Sequence, residues 1–149
     1  MKIAILDDWN QDAQKSANWE MLAKSHQVDF YHDTVTGEAL IERLKPYDIL
    51  GIMRERTPIT EALMAQLPQL KAIVTTGMRN QSLDEEGAKR HGIMIMGTEA
   101  PGVATPELAM TLIGNLARNL FANATSMTTG GWQVSTGRDL HGACLGILG

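Results

Sequence analysis

The chain has 149 residues, 44% of them hydrophobic and 20% charged, enough for one well-formed core, since single domains commonly run about 100–150 residues. A formal net charge of −4, with lysines and arginines scattered among acids, leaves no basic stripe for a phosphate backbone, which argues against nucleic acid as a partner. No apolar run nears the roughly 20 residues that span a bilayer, and Met1-Lys2 leads directly into Ile3-Ala4-Ile5-Leu6, too short for a signal-peptide core; the expectation is a cytoplasmic protein with no membrane partner.

Short apolar runs alternate with stretches of helical periodicity, the pattern of βαβ units around a parallel sheet covered on both faces. "KIAILD" opens the chain, "QVDFYH" follows at 27–32, "DILGIM" at 48–53, "KAIVTT" at 71–76 and "GIMIMG" at 92–97. Between them, "TGEALIERLKP" takes Thr36 as N-cap and Pro46 as stop, and "PITEALMAQLP" takes Thr60 and Pro68. Ser82 and Glu85 have capping-box spacing, so "SLDEEGAKRHG" is predicted to be a helix closed by Gly92.

After Gly97 the texture changes. Thr105-Pro106-Glu107 offers an N-cap, a first-turn proline and an acid at the positive end of a helix predicted over 105–124. Leu108, Leu112, Leu116 and Leu120 form one stripe with Ala109, Ile113, Ala117 and Phe121 beside it, while Asn115, Arg118 and Asn119 lie toward the other side. Such a helix packs on a core; its width also suits contact with a second domain or subunit. A loop with turn chemistry at Gly130-Gly131 and Gly137 then leads to a sixth apolar run, Cys144 to Leu148, predicted to be a strand that delivers Gly149. The lone Cys144 cannot form an internal disulfide and is expected to be a small buried hydrophobe.

In open parallel sheets, ligands bind beyond the carboxyl ends of the strands. That rule selects Asp7, Asp8 and Trp9 after the first strand, Arg54, Glu55, Arg56 and Thr57 after the third, and Gly77, Met78, Arg79 and Asn80 after the fourth. In the common strand order 2-1-3-4-5, Arg54 and the Gly77 loop share a crevice. A guanidinium clamps a carboxylate and a glycine turns main-chain N–H groups toward its oxygens, so a small carboxylate is the expected ligand. The alternative is that Arg54 and Arg56 pair with Glu55, Glu61 or solvent. Asp7-Asp8 also suits a phospho-receiver, but Met53-Arg54 and Gly97-Thr98 stand where a receiver needs an acceptor Asp and a Lys. The pair is more simply a strand-end turn. His26, His32, His91 and His141 have no paired metal spacing, so no metal site and no acid–base histidine is nominated.

The stretches "MKIAILDDW", "MRERTPIT", "LKAIVTTGMRNQSLDEEGAKRHGI", "ATPELAMTLIGNLARNL" and "GGWQVSTGRDLHGACLGILG", in this order, resemble the D-isomer-specific 2-hydroxyacid dehydrogenases, most closely their phosphoglycerate-dehydrogenase-like branch. The resemblance spans the whole chain. It implies an α/β, flavodoxin-like substrate domain over residues 1–98, then over 99–149 an interdomain helix, a loop and the first strand of a Rossmann dinucleotide domain. It also implies that the chain is a truncated, catalytically incomplete piece of an NAD-dependent oxidoreductase, with no catalytic residue here to assign. Arg54, Gly77, Met78 and Arg79 would bind the small carboxylate substrate. Met78, Thr105 and Gly149 would approach the NAD, which this piece alone is not expected to bind tightly, and the intact enzyme would be a homodimer. Two residues depart from the common family pattern: Arg79 stands where a second glycine is frequent, and Glu55 where a small polar residue is. The competing reading is a stand-alone flavodoxin-like or receiver-like binding or regulatory domain.

Overall fold

The computed structural model describes residues 1–99 and 102–148. The chain divides into two compact units, Met1–Ala100 and Pro101–Gly149. The first is a five-stranded parallel sheet, β1 (Lys2–Ile5), β2 (Gln27–Phe30), β3 (Ile49–Ile52), β4 (Ala72–Thr75) and β5 (Met94–Gly97), in the spatial order β2-β1-β3-β4-β5. The parallel sheet is the one expected from the alternation of runs, and its order is the flavodoxin-like one that the resemblance implies. α1 (Ala13–Ser16) and α2 (Trp19–Ala23) connect β1 to β2, α3 (Gly37–Leu44) connects β2 to β3, and α4 (Glu61–Met64) and α5 (Glu85–Arg90) follow β3 and β4.

The connection β1 to β2 runs one way across the sheet and the next three run the other. Right-handed crossovers therefore put α3, α4 and α5 on one face and leave α1–α2 alone on the opposite face. Side-chain alternation agrees. Ala4, Leu50 and Ile73 sit in one row of the register, fully buried, and form the core with Leu40 and Leu44 of α3, Leu63 and Met64 of α4, and Ala88 of α5. Ile3, Ile5, Ile49 and Val74 point the other way, toward Trp19 and Leu22, and line an apolar groove of about 620 Å³.

Two caps differ from expectation. Thr60 does cap α4, its hydroxyl accepting the Leu63 N–H. Ser82 does not start α5: its carbonyl accepts the Ile59 N–H at 2.8 Å within an isolated Ile59–Leu83 bridge, which keeps residues 82–83 extended. The helix begins only after Asp84, whose carboxylate accepts the Gly87 N–H at 2.8 Å. Thr36 precedes α3 without a side-chain cap bond.

The second unit carries α6 (Ala104–Arg118) and α7 (Leu120–Thr128). The predicted single helix is thus two, broken at Asn119, which adopts the left-handed conformation (φ 50°) that asparagine tolerates better than most residues. Thr105 is not the N-cap. The helix starts earlier, at Ala104, because Pro106 in the first turn lacks only an N–H that has no intrahelical acceptor anyway. The asparagine side stitches a loop to the helices: the Asn123 side-chain oxygen accepts the Val134 and Ser135 N–H groups, and Arg138 N–H donates to Ala117 O at 2.7 Å. Residues 143–148 form no strand, and Cys144 is exposed rather than buried. A run becomes a strand only beside another whose backbone it can pair, and no described residue supplies one. Gly149 lies outside the described residues.

Candidate functional site

β3 and β4 pair in parallel through Ile52–Thr75, so the segments that follow them leave the sheet side by side. Arg54 turns sharply there, with φ 56°. Its carbonyl accepts a 2.7 Å bond from the Asn80 side-chain amide, which also donates to Thr75 Oγ1 at 3.2 Å. Asn80 is buried, and its oxygen accepts from Ser82 N–H and Oγ. One amide thereby locks the β4 loop to the β3 loop. Gly77 has φ 106°, a conformation costly for any residue with a Cβ. Its N–H donates to Thr98 Oγ1 at 3.1 Å, so this particular donor is already used. The loop lies so close to the end of β5 that a Cβ on Gly97 would come within 2.8 Å of Gly77 O. Among the described residues the Met78 and Arg79 N–H groups meet no acceptor.

Asp7 and Asp8 follow β1, the other neighbour of β3, and they are more than turn residues. Asp7 is 2% exposed with φ 60°; its two carboxylate oxygens accept the hydroxyls of Thr34 and Thr57, each at 2.7 Å. Its carbonyl accepts the Arg56 guanidinium, which also stacks 4.1 Å from the Trp9 ring centre. Trp9 Nε1 donates to Thr34 Oγ1 at 3.1 Å, closing the ring of contacts. Asp8 is equally buried; its carboxylate accepts the N–H groups of Asp12 and Ala13 at 3.0–3.2 Å. Both carboxylates are satisfied within the protein, and among the described residues no three His, Cys, Asp or Glu converge as a metal centre.

At these strand ends lies a pocket of about 360 Å³ lined by Asp8, Asn10, Asp12, Met53, Arg54, Arg56, Thr76, Gly77 and Thr98. Arg54 and Gly77 therefore share one hollow. Met78 and Arg79 do not line it; their side chains are exposed and only their main chain borders the Gly77 turn. Thr105 lies in the first turn of α6 in the second unit. Of the alternative partners for the arginines, Glu61 is held by Arg90 at 2.7–2.8 Å, while Arg56 is engaged by Asp7 and Trp9 and Arg54 is exposed to solvent. Among the described residues Arg54 makes no ion pair. Position at a strand end marked Asp8, Arg54 and Gly77 in the sequence, whereas nothing local marked Asp12 or Thr98 as neighbours of the same space.

Comparison with known proteins gives a consistent picture. Residues 3–130 match the family model "D-isomer specific 2-hydroxyacid dehydrogenase, catalytic domain". The chain is 29% identical over 152 aligned residues to D-3-phosphoglycerate dehydrogenase of Methanocaldococcus jannaschii, covering all of this chain and 28% of that protein. It is 27% identical to hydroxypyruvate reductase of Thermotoga maritima, covering 94% of this chain and 46% of the relative. Among solved structures, a phosphoglycerate oxidoreductase from Vibrio cholerae superposes with a TM-score of 0.81 at 39% identity, over 94% of this chain and 46% of that one. Apo D-lactate dehydrogenase from Escherichia coli, at 15% identity and a TM-score of 0.75 over 93% of this chain and 44% of that one, shares the fold. The chain thus spans less than half the length of these proteins.

Proposed function

Because this chain belongs to the D-isomer specific 2-hydroxyacid dehydrogenase family, we propose that its first unit is the substrate-binding part of an NAD-dependent oxidoreductase that interconverts a D-2-hydroxy acid and its 2-oxo acid. The single observation that supports this is the shared pocket: Arg54 and Gly77 line one hollow, with Arg54 lacking any ion pair among the described residues. The guanidinium fork takes the substrate carboxylate, and the Met78 and Arg79 N–H groups complete its shell. Asn80 ties the β4 loop to the β3 loop and Thr98 ties it to the end of β5, so little backbone ordering cost falls on binding. The compounds in the relatives' names, phosphoglycerate and hydroxypyruvate, are small acids of this chemical class.

NAD supplies or accepts the hydride at the 2-carbon in this reading. The described residues of the second unit do not fit a dinucleotide by themselves. Residues 143–148 are neither strand nor the start of a helix, so they present no helix N-terminus beside a glycine turn for a pyrophosphate. Among the described residues that line the pocket there is no histidine to exchange a proton with the 2-hydroxyl. This chain alone is therefore expected to bind the acid, hold NAD weakly and transfer no hydride. Its role in the enzyme is to fix the carboxylate, and with it the face the 2-carbon presents. A cytoplasmic homodimer goes with this reading, the second unit's exposed leucines supplying an apolar surface for self-association.

Calorimetric titration with D-glycerate tests the proposal. Arg54→Ala should weaken binding about tenfold or more, a charge-assisted hydrogen bond being worth roughly 1.5–3 kcal/mol. Unchanged affinity in the folded variant would remove Arg54 from the site.

A further inference from the structure

The charges and donors around the pocket say more about the acid than its carboxylate. Its charged lining residues are Asp8, Asp12, Arg54 and Arg56, two acids against two bases, with a formal sum of zero. The bases are not equivalent. Arg56 is held in place by the Asp7 carbonyl and the Trp9 ring and keeps its charge there, which leaves Arg54 as the freer of the two cations. The main-chain donors are divided in the same way. The Asp12 and Ala13 N–H groups, which could have received an anion, already hold the protein's own Asp8 carboxylate at 3.0–3.2 Å. Beside that filled slot stands Asp12, exposed, whose carboxylate caps nothing.

We propose that the pocket accepts a 2-hydroxy or 2-oxo acid whose only anionic group is its carboxylate, and that Asp8 and Asp12 reject an acid that also carries a phosphate. The inference rests on the reading that Arg54 and the turn at Gly77 take the carboxylate. One carboxylate brings the pocket to a formal −1. A phosphorylated acid adds a phosphate of about −1.5 to −2 and meets, beyond Arg54, only the Arg56 guanidinium already held at Asp7 and Trp9, against two acids. The tail of the substrate is thus neutral, a hydroxyl or a small apolar group.

Competition calorimetry on the 149-residue chain, at matched ionic strength, tests this with D-glycerate and 3-phospho-D-glycerate, acids of one stereochemistry that differ by the phosphate. The native chain should prefer D-glycerate by about three- to tenfold, the scale of one or two like-charge contacts in a solvated pocket. Asp12→Asn should at least halve that preference, and Asp12→Lys should abolish or reverse it. Equal or tighter binding of the phosphorylated acid to the native chain, or a preference unmoved by both substitutions, overturns the inference while leaving the carboxylate site standing. Binding of neither acid overturns both. Asp12 is exposed and its side chain caps no helix, so the variants should keep the native circular dichroism, which verifies that each ratio comes from folded protein.

Discussion

Asp7 is where three strand-end loops meet, and the site's stability depends on it. A carboxylate with almost no exposure is tolerated because Thr34 and Thr57 each give it a short hydrogen bond. Thr57→Val keeps the shape and removes one donor, leaving a buried oxygen unpaired. The expected loss is about 1–3 kcal/mol in urea unfolding, and a variant as stable as the native chain would show that Asp7 is satisfied another way. This network was not legible in the sequence. Its partners stand 27 and 50 positions apart, and side-chain bonds over such separations leave no periodic trace. The nearness of Arg54 to Gly77 was legible because it follows from position: each comes after a strand, and strand order brought those ends together.

At the scale of elements, strands and helix starts were readable where local chemistry and packing agree. All five strands formed within the expected runs because each has neighbours to complete its hydrogen bonds. The run 144–148 is as apolar and forms nothing, so apolarity proposes a strand and pairing decides it. Ser82 lost the cap of α5 for a related reason, its carbonyl being claimed by Ile59. α5 is tied to α4 by the fork between Arg90 and Glu61, with Nε and Nη2 reaching the two carboxylate oxygens at 2.8 and 2.7 Å. The Arg90 hydrogen bonds hold the Glu61 carboxyl below the usual carboxylate range. A lowered folded-state value means that the pair stabilises the fold above the ordinary glutamate pKa and stops doing so as pH falls through the lowered value. Glu61→Gln should therefore be slightly less stable than the native chain at pH 7, and the two should converge as pH falls below the ordinary glutamate pKa and through the lowered one. A gap that widens on acidification would contradict the assignment.

At the scale of the whole molecule, the two units differ in how they bury apolar surface. The first has a continuous core, whereas α6 and α7 leave Leu108, Leu112, Leu116, Leu120 and Phe121 exposed, Leu116 and Phe121 at 76%. The sequence showed the stripe but could not show whether anything covers it, since amphipathicity fixes a face and not its partner. Contiguous exposed apolar side chains of this kind drive association. Sedimentation at rising concentration should show dimers of the native chain and monomers of a Leu112→Glu, Leu116→Glu double variant; a native monomer throughout would contradict the proposed homodimer. The central claim is that one carboxylate sits between Arg54 and the main chain after Gly77. Its most direct measurement is the amide resonance map of the chain during titration with D-glycerate. The account predicts saturable shifts concentrated at Gly77, Met78, Arg79 and Arg54, lost together in Arg54→Ala. Shifts confined elsewhere, or persisting at Met78 and Arg79 without the guanidinium, would contradict it.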